Sequence, residues 1–254
     1  MTIGTILEHL QGLAPLELAQ SWDNVGLLIG DPNRRVHKVL ISLDATSNAA
    51  DYAISEGYDL ILSHHPLIFR PLKSITNPLL LKMIEARLSL ISLHTNFDAA
   101  LGGVNHALAE ALELEIIDAL GDSSEGAIGL ICALKQPLNL QELATYVKNH
   151  LNAPSVKLWN AGKALTETIH RIAICGGAGG SVLGFAEAKA DVLISGDISY
   201  HSFLESRIPI IDAGHFHTEY PALETLQNAL SSIGVASTIL PLDLHEWQQN
   251  MSFH

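Results

Sequence analysis

Three short segments concentrate imidazoles and carboxylates: Ser63-His64-His65-Pro66, His94-Thr-Asn-Phe-Asp98 and His215-Phe-His217-Thr-Glu219. Nitrogen and oxygen donors of this kind suit Zn, Mn, Fe or Co, and no thiolate stands among them. Side chains of adjacent residues past a strand diverge, so the His64-His65 pair suits two ions better than one. Three imidazoles and two carboxylates can hold two ions about 3.5–4 Å apart with one carboxylate bridging. Such a pair leaves open positions for water and a substrate oxygen, which is the layout of a hydrolase. Each segment alone has a plainer reading. The histidine pair fits an exposed turn stiffened by Pro66, 94–98 fits ordinary loop polarity, and 215–219 fits capping and solvation. A helix is expected to begin near Glu219, with Thr218 as N-cap and Pro221 in its first turn. His215 and Glu219 are then not a helical i,i+4 pair.

Other motifs are less specific. Gly176-Gly-Ala-Gly-Gly180 resembles a phosphate-cradling turn but matches neither nucleotide fingerprint, so a tight, closely packed turn is the favoured reading. Asp197 and His201, in Ser-Gly-Asp-Ile-Ser-Tyr-His, face either the metals or a substrate, or form a structural pair. There is no serine-nucleophile elbow. Cys132 and Cys175 lie in apolar, strand-like segments and read as buried thiols rather than a disulfide.

The elements that must position these groups are short apolar runs. They cover 39–43, 59–63, 88–93, 127–134, 171–175, 191–195 and 208–213. Helical patterns such as SNAADYAISEG, NPLLLKMIEARL, NLQELATYVKNHL and YPALETLQNALSSIG lie between many of them, which argues for an α/β protein with largely parallel sheets. Gly57 and Gly234 are placed as C-caps. Residues 39–66 echo 172–199, each reading strand, turn, helix, Asp, apolar strand, Ser. This implies two interlinked α/β domains built from related βαβ-like units. The break is expected at GDSSEG (121–126), giving a first domain of 1–124 and 205–254 that carries the metal ligands, and a second of 125–204. All candidate ligands follow strands, and in open α/β sheets ligands bind beyond the carboxyl strand ends.

Composition narrows the partners. The net charge is −13 and no Lys/Arg cluster is present, so nucleic acid is a poor partner. No apolar run approaches the roughly 20 residues that cross a bilayer. The start, MTIGTILEHLQGLAPLELAQ, reads as an amphipathic helix rather than a signal peptide, and a cytoplasmic location is expected.

Six motifs in order, SWDNVGLLIGD (21–31), SHHP (63–66), HTNFD (94–98), ICGGAG (174–179), SGDISYH (195–201) and DAGHFHTE (212–219), resemble the NIF-three-like family, the GTP cyclohydrolase 1 type 2 homologs. The resemblance covers essentially the whole chain. It implies a two-domain subunit in a homohexamer, a trimer of dimers, with a dinuclear metal site facing an interior cavity. Matched motif to motif, it implies His64, His65, Asp98, His215 and Glu219 as ligands, with Glu219 bridging. His94 and Trp22-Asp23-Asn24 become supporting residues. The cofactors would be two divalent ions (Zn, Fe, Mn or Co), and the substrate a nucleotide-like small molecule. GTP cyclohydrolase chemistry opens the guanine imidazole ring and releases its C8 as formate, with His94, His201 or His217 moving protons. Phosphoester hydrolysis, a non-enzymatic metal-binding or scaffold role, and a strand threaded through the ring are the rival readings; the acidic charge counts against the last.

Overall fold

The computed structural model describes residues 1–121 and 128–251, so the expected break at 124/125 lies outside the described residues. The chain opens with helix α1 (Ile3–Leu13), strands β1 (Gly26–Ile29) and β2 (Lys38–Ser42), α2 (Ser47–Ser55), β3 (Leu60–Ser63), α3 (Pro78–Glu85), β4 (Ser89–Ser92) and α4 (Thr95–Ala99). There follow α5 (Val104–Ala111), β5 (Glu115–Leu120), β6 (Gly129–Ala133), β7 (Leu138–Asn139), α6 (Leu140–His150), β8 (Lys157–Trp159), β9 (Thr168–Ile169) and β10 (Ile172–Ala178). The last third adds α7 (Leu183–Lys189), β11 (Val192–Gly196), α8 (Tyr200–Glu205), β12 (Ile210–Asp212), α9 (His215–Glu219), α10 (Ala222–Ser232), β13 (Ala236–Ile239) and α11 (Glu246–Asn250).

Two compact units result. One comprises Met1–Leu101 and the segment from Leu223 on; the other is Gly102–Ala222. The first holds a sheet in the order β1-β4-β3-β2-β13, parallel except for β1. Its inner strands β2, β3 and β4 read as largely apolar runs because both faces are covered. Leu40, Ile61 and Leu90 pack with Ala49, Ala50 and Ala53 of α2 and Met83 of α3. The alanine spacing gives α2 a small-residue stripe that lets it lie close to the sheet. Thr46 and Asn77 cap α2 and α3 through their side chains, and Gly57 takes the positive φ expected of a C-cap.

The second unit holds the order β5-β6-β10-β11-β12-β8. Only the β10–β11 and β11–β12 pairings are parallel; β5–β6, β6–β10 and β12–β8 pair antiparallel, so this sheet is mixed rather than largely parallel. Strand alternation feeds two cores. Ile172, Ile174 and Ile194 pack under α5 and α6, while Ala173, Cys175, Leu193 and Ile210 pack under α7. Asn139 closes a capping box with Glu142 at the start of α6. The sequence reading returned the chain to the first domain at 205. Here β12 is hydrogen-bonded between β11 and β8, so this strand and the helix that follows stay with the second sheet.

The echo between the halves is a real correspondence of topology. β2-α2-β3 and β10-α7-β11 are each a parallel strand pair joined by a helix. Both cysteines are buried in adjacent strands, and burial pushes the Cys132 thiol up to about 12.

Candidate metal centre

In the first unit, β2, β3 and β4 each end in a buried serine, and a polar residue stands one or two positions beyond it: Asp44, His64 and His94. Ser42 Oγ donates to the carbonyl of Asp44 (2.9 Å) and Ser63 Oγ to that of His65 (2.8 Å). These bonds turn the chain off the strand ends and fix where Asp44 and His65 start. Ser63 and Ser92 hydroxyls join at 2.8 Å across β3 and β4. The recurring serine at the end of VLIS, LILS and SLIS is thus a loop-shaping residue.

Three imidazoles gather beyond β3 and β4. His64, His65 and His94 each offer a ring nitrogen within 4.8 Å of the others. Their ring centroids lie 4.8, 5.3 and 5.6 Å apart. Each Nδ1 is held by an acceptor: His64 by the carbonyl of Leu93 (2.7 Å), His65 by Asp44 Oδ1 (2.9 Å) and His94 by Asp23 Oδ1 (2.9 Å). Carbonyls and carboxylates only accept, so the proton sits on Nδ1 and the lone pair on Nε2. α4 then carries Asp98 back, its Oδ1 lying 3.6 Å from His64 Nε2.

Asp23 is fully buried and anchors this group. Burial alone would raise its carboxyl. Hydrogen bonds from His94 and Thr95, the His94 charge and the Asn24 N–H together outweigh burial and hold it at about 2. Asn96 secures the same turn, accepting from His94 N and donating to the carbonyl of Ala14.

In the second unit the pattern repeats at the ends of β11 and β12. Asp197 adopts a positive φ of 50°, a conformation Asp tolerates better than most residues. Its Oδ2 accepts from His215 Nδ1 at 2.9 Å. Gly214, at φ 84°, breaks β12 from α9, and its N–H donates to buried Asp212. This turn starts the helix at His215, four residues earlier than the sequence pattern suggests. Thr218 is therefore inside α9, and its hydroxyl bonds the carbonyls of Gly214 and His215. His215 and Glu219 become an i,i+4 pair, with Nε2 and Oε1 3.0 Å apart.

The glycines of 176–180 make room for this pair. A Cβ on Gly177, whose φ is 67°, would fall 2.1 Å from Glu219 Oε1 and 3.1 Å from His215 Nε2. A Cβ on Gly179 would collide with Ser195. Close packing explains them.

Nδ1-protonated imidazoles thus present Nε2 lone pairs toward carboxylate oxygens in both units. Two acceptors at such range repel unless a cation lies between them, either a proton or a metal ion. Protonating all three clustered imidazoles would place like charges side by side, which is costly. A metal ion fits better: neutral imidazole ligands ordinarily have the other nitrogen held by a carboxylate or carbonyl. The residues present therefore suit divalent ions.

The remaining expected residues are spread out. His217 is buried on α9, and burial lowers its pKa against an opposing hydrogen bond to the Leu151 backbone. His201 is exposed on α8, its ring edge-on to Tyr200. Asp44 was not singled out by sequence. The signal for Asp44 was its place two residues past β2, matching the position of His65 past β3.

A family model described as Duf34/NIF3 (NGG1p interacting factor 3) matches residues 1–243. A GTP cyclohydrolase 1 type 2 homolog of Clostridium perfringens is 35% identical over 235 residues, 88% of each chain. One from Methanocaldococcus jannaschii is 30% identical, covering 89% of this chain and 93% of its own. Among solved structures, Staphylococcus aureus hypothetical protein SA1388 superposes with a TM-score of 0.88 at 28% identity, covering 100% and 99% of the two chains. Reduced HcgD from Methanocaldococcus jannaschii gives 0.82 at 29% identity, covering 95% and 98%.

Proposed function

The chain belongs to the Duf34/NIF3 family, and from that premise we propose that it is a dinuclear metal protein hydrolysing a nucleotide-like small molecule. The residues that would hold the ions are His64, His65, Asp98, His215 and Glu219. The observation that carries this reading is the set of Nδ1 clamps with Nε2 aimed at carboxylate oxygens, 3.0 Å in the His215–Glu219 pair. Zn, Fe, Mn or Co suit such donors equally well.

Divalent ions held by these residues would supply Lewis acidity toward water and a substrate oxygen. The protein's own part is orientation and proton movement. Asp44 and Asp197 lock His65 and His215 in one tautomer. His94, locked likewise by Asp23, presents Nε2 as a base beside the donors; His201 and His217 are the other candidate proton carriers. The activity in the relatives' name, opening of the guanine imidazole ring with loss of formate, is the reaction to test first.

Metal-loaded protein is expected to release formate from GTP, and Glu219→Ala to abolish that release. Turnover of phosphoesters alone would reassign the substrate. No turnover of either, with tight metal retention, would make the protein a non-enzymatic metal-binding module. The same reading places it in the cytoplasm as a homohexamer, so light scattering should give six times the 27.4 kDa chain mass. No helix among the described residues is long and apolar enough to cross a membrane.

A further inference from the structure

Two large apolar rings in the first unit are left open to solvent beside the imidazole cluster. Trp22 is 55% exposed and Phe69 45%. Their centroids lie 5.6 Å apart with the planes tilted at 44°, which leaves an open wedge rather than a closed stack. Trp22 also meets His94 edge to face at 6.2 Å. The pair is held firmly. Asn24 Nδ2, two residues past Trp22, donates to the carbonyl of Ile68, the residue before Phe69, at 2.5 Å. Asp23, between Trp22 and Asn24, is fully buried on His94 and Thr95.

Rings kept half in water, held through the nearby Asp23, Asn24 and Ile68 and set beside His94, are suited to receive another flat ring. Aromatic faces stack on planar π-systems in offset or tilted arrangements and favour them over saturated groups of similar size. We propose that Trp22 and Phe69 form the seat for a planar aromatic ring of the substrate, placing that ring next to His94. This rests on the metal-pair reading only for what happens to the ring afterwards; the seat itself needs no metal.

The test reads Trp22 emission in a Trp159→Phe, Trp247→Phe background, with and without chelator, using GMP as probe and ribose 5-phosphate as the ringless control. Saturable quenching by GMP in both metal states, with none from ribose 5-phosphate, is expected. Phe69→Ala, which keeps the reporter, should weaken GMP binding by about tenfold. In calorimetry Trp22→Ala should do the same, and Trp22→Phe should largely restore binding with metal content unchanged. Equal quenching by ribose 5-phosphate, or binding indifferent to Phe69→Ala and Trp22→Ala, would overturn the seat while leaving the metal reading intact. Emission that follows protein concentration and ignores GMP would overturn it too, assigning the rings to contact with a second copy. Loss of metal from the His65 and Glu219 variants is read separately, so the two claims fail independently.

Discussion

The two βαβ units share a topology but use their strand ends differently. In the first, β2 and β3 end in Ser42 and Ser63, whose hydroxyls cap the carbonyl two residues on and so shape the loops bearing Asp44 and His65. In the second, Ser195 near the end of β11 reaches instead across to the carbonyl of Cys175 on β10. The donor-bearing turn is made there by Gly214 and Asp212, and space for the donors by Gly177. In each unit an imidazole past one parallel strand has its Nδ1 held by a carboxylate past the neighbouring strand, once through hydroxyl-capped loops and once through glycine geometry. Side-chain bonds tolerate adjustment; backbone conformations reserved for glycine do not. The second unit should accordingly be the more fragile under small substitutions.

Gly177→Ala attacks that difference hardest. The added methyl meets Glu219 Oε1 at 2.1 Å on a backbone with φ 67°. Metal retention should be lost and stability should fall by about 1–3 kcal/mol, read by elemental analysis and thermal unfolding. Asp44→Asn and Asp197→Asn probe the parallel clamps in the two units. Each should weaken metal binding by roughly 10- to 100-fold without unfolding the protein; indifference in one unit would show that its histidine is oriented by other means.

Asp23→Asn tests the anchor peculiar to the first unit. Its carboxyl drops from an ordinary 3.8 to about 2 on folding. A depressed carboxylate pKa contributes stability that is present above the unfolded value and lost as pH falls through the folded one. Folding should lose about 2 kcal/mol between roughly pH 4 and pH 2, and the Asn variant should lack that dependence. The smallest effect is expected at Gly184 in α7, where an added Cβ meets nothing within 4 Å. Gly184→Ala should leave metal binding unchanged and stabilise by roughly 0.5–1 kcal/mol, separating glycine that is required from glycine that is incidental.

Much of this was readable from the chain. Continuous apolar runs located the buried strands because helices cover both sheet faces, and Gly57 and Gly234 marked helix ends by ordinary capping chemistry. The donors followed from asking which polar residues come just after such strands. Other features were hidden for physical reasons. β5 is exposed along nearly its whole length and has no apolar period to betray it. The antiparallel setting of β6 depends on partners far along the sequence. α9 begins at His215 because Gly214 turns and Asp212 receives its N–H, and that outweighs the N-cap signal of Thr218.

The proposed metal centre counts His65 and Glu219 among its donors. Metal per chain in the purified protein, in His65→Ala and in Glu219→Ala tests it most directly. About two ions per chain are predicted in the parent, with a marked loss in both variants. A full complement of metal in both variants would contradict the account.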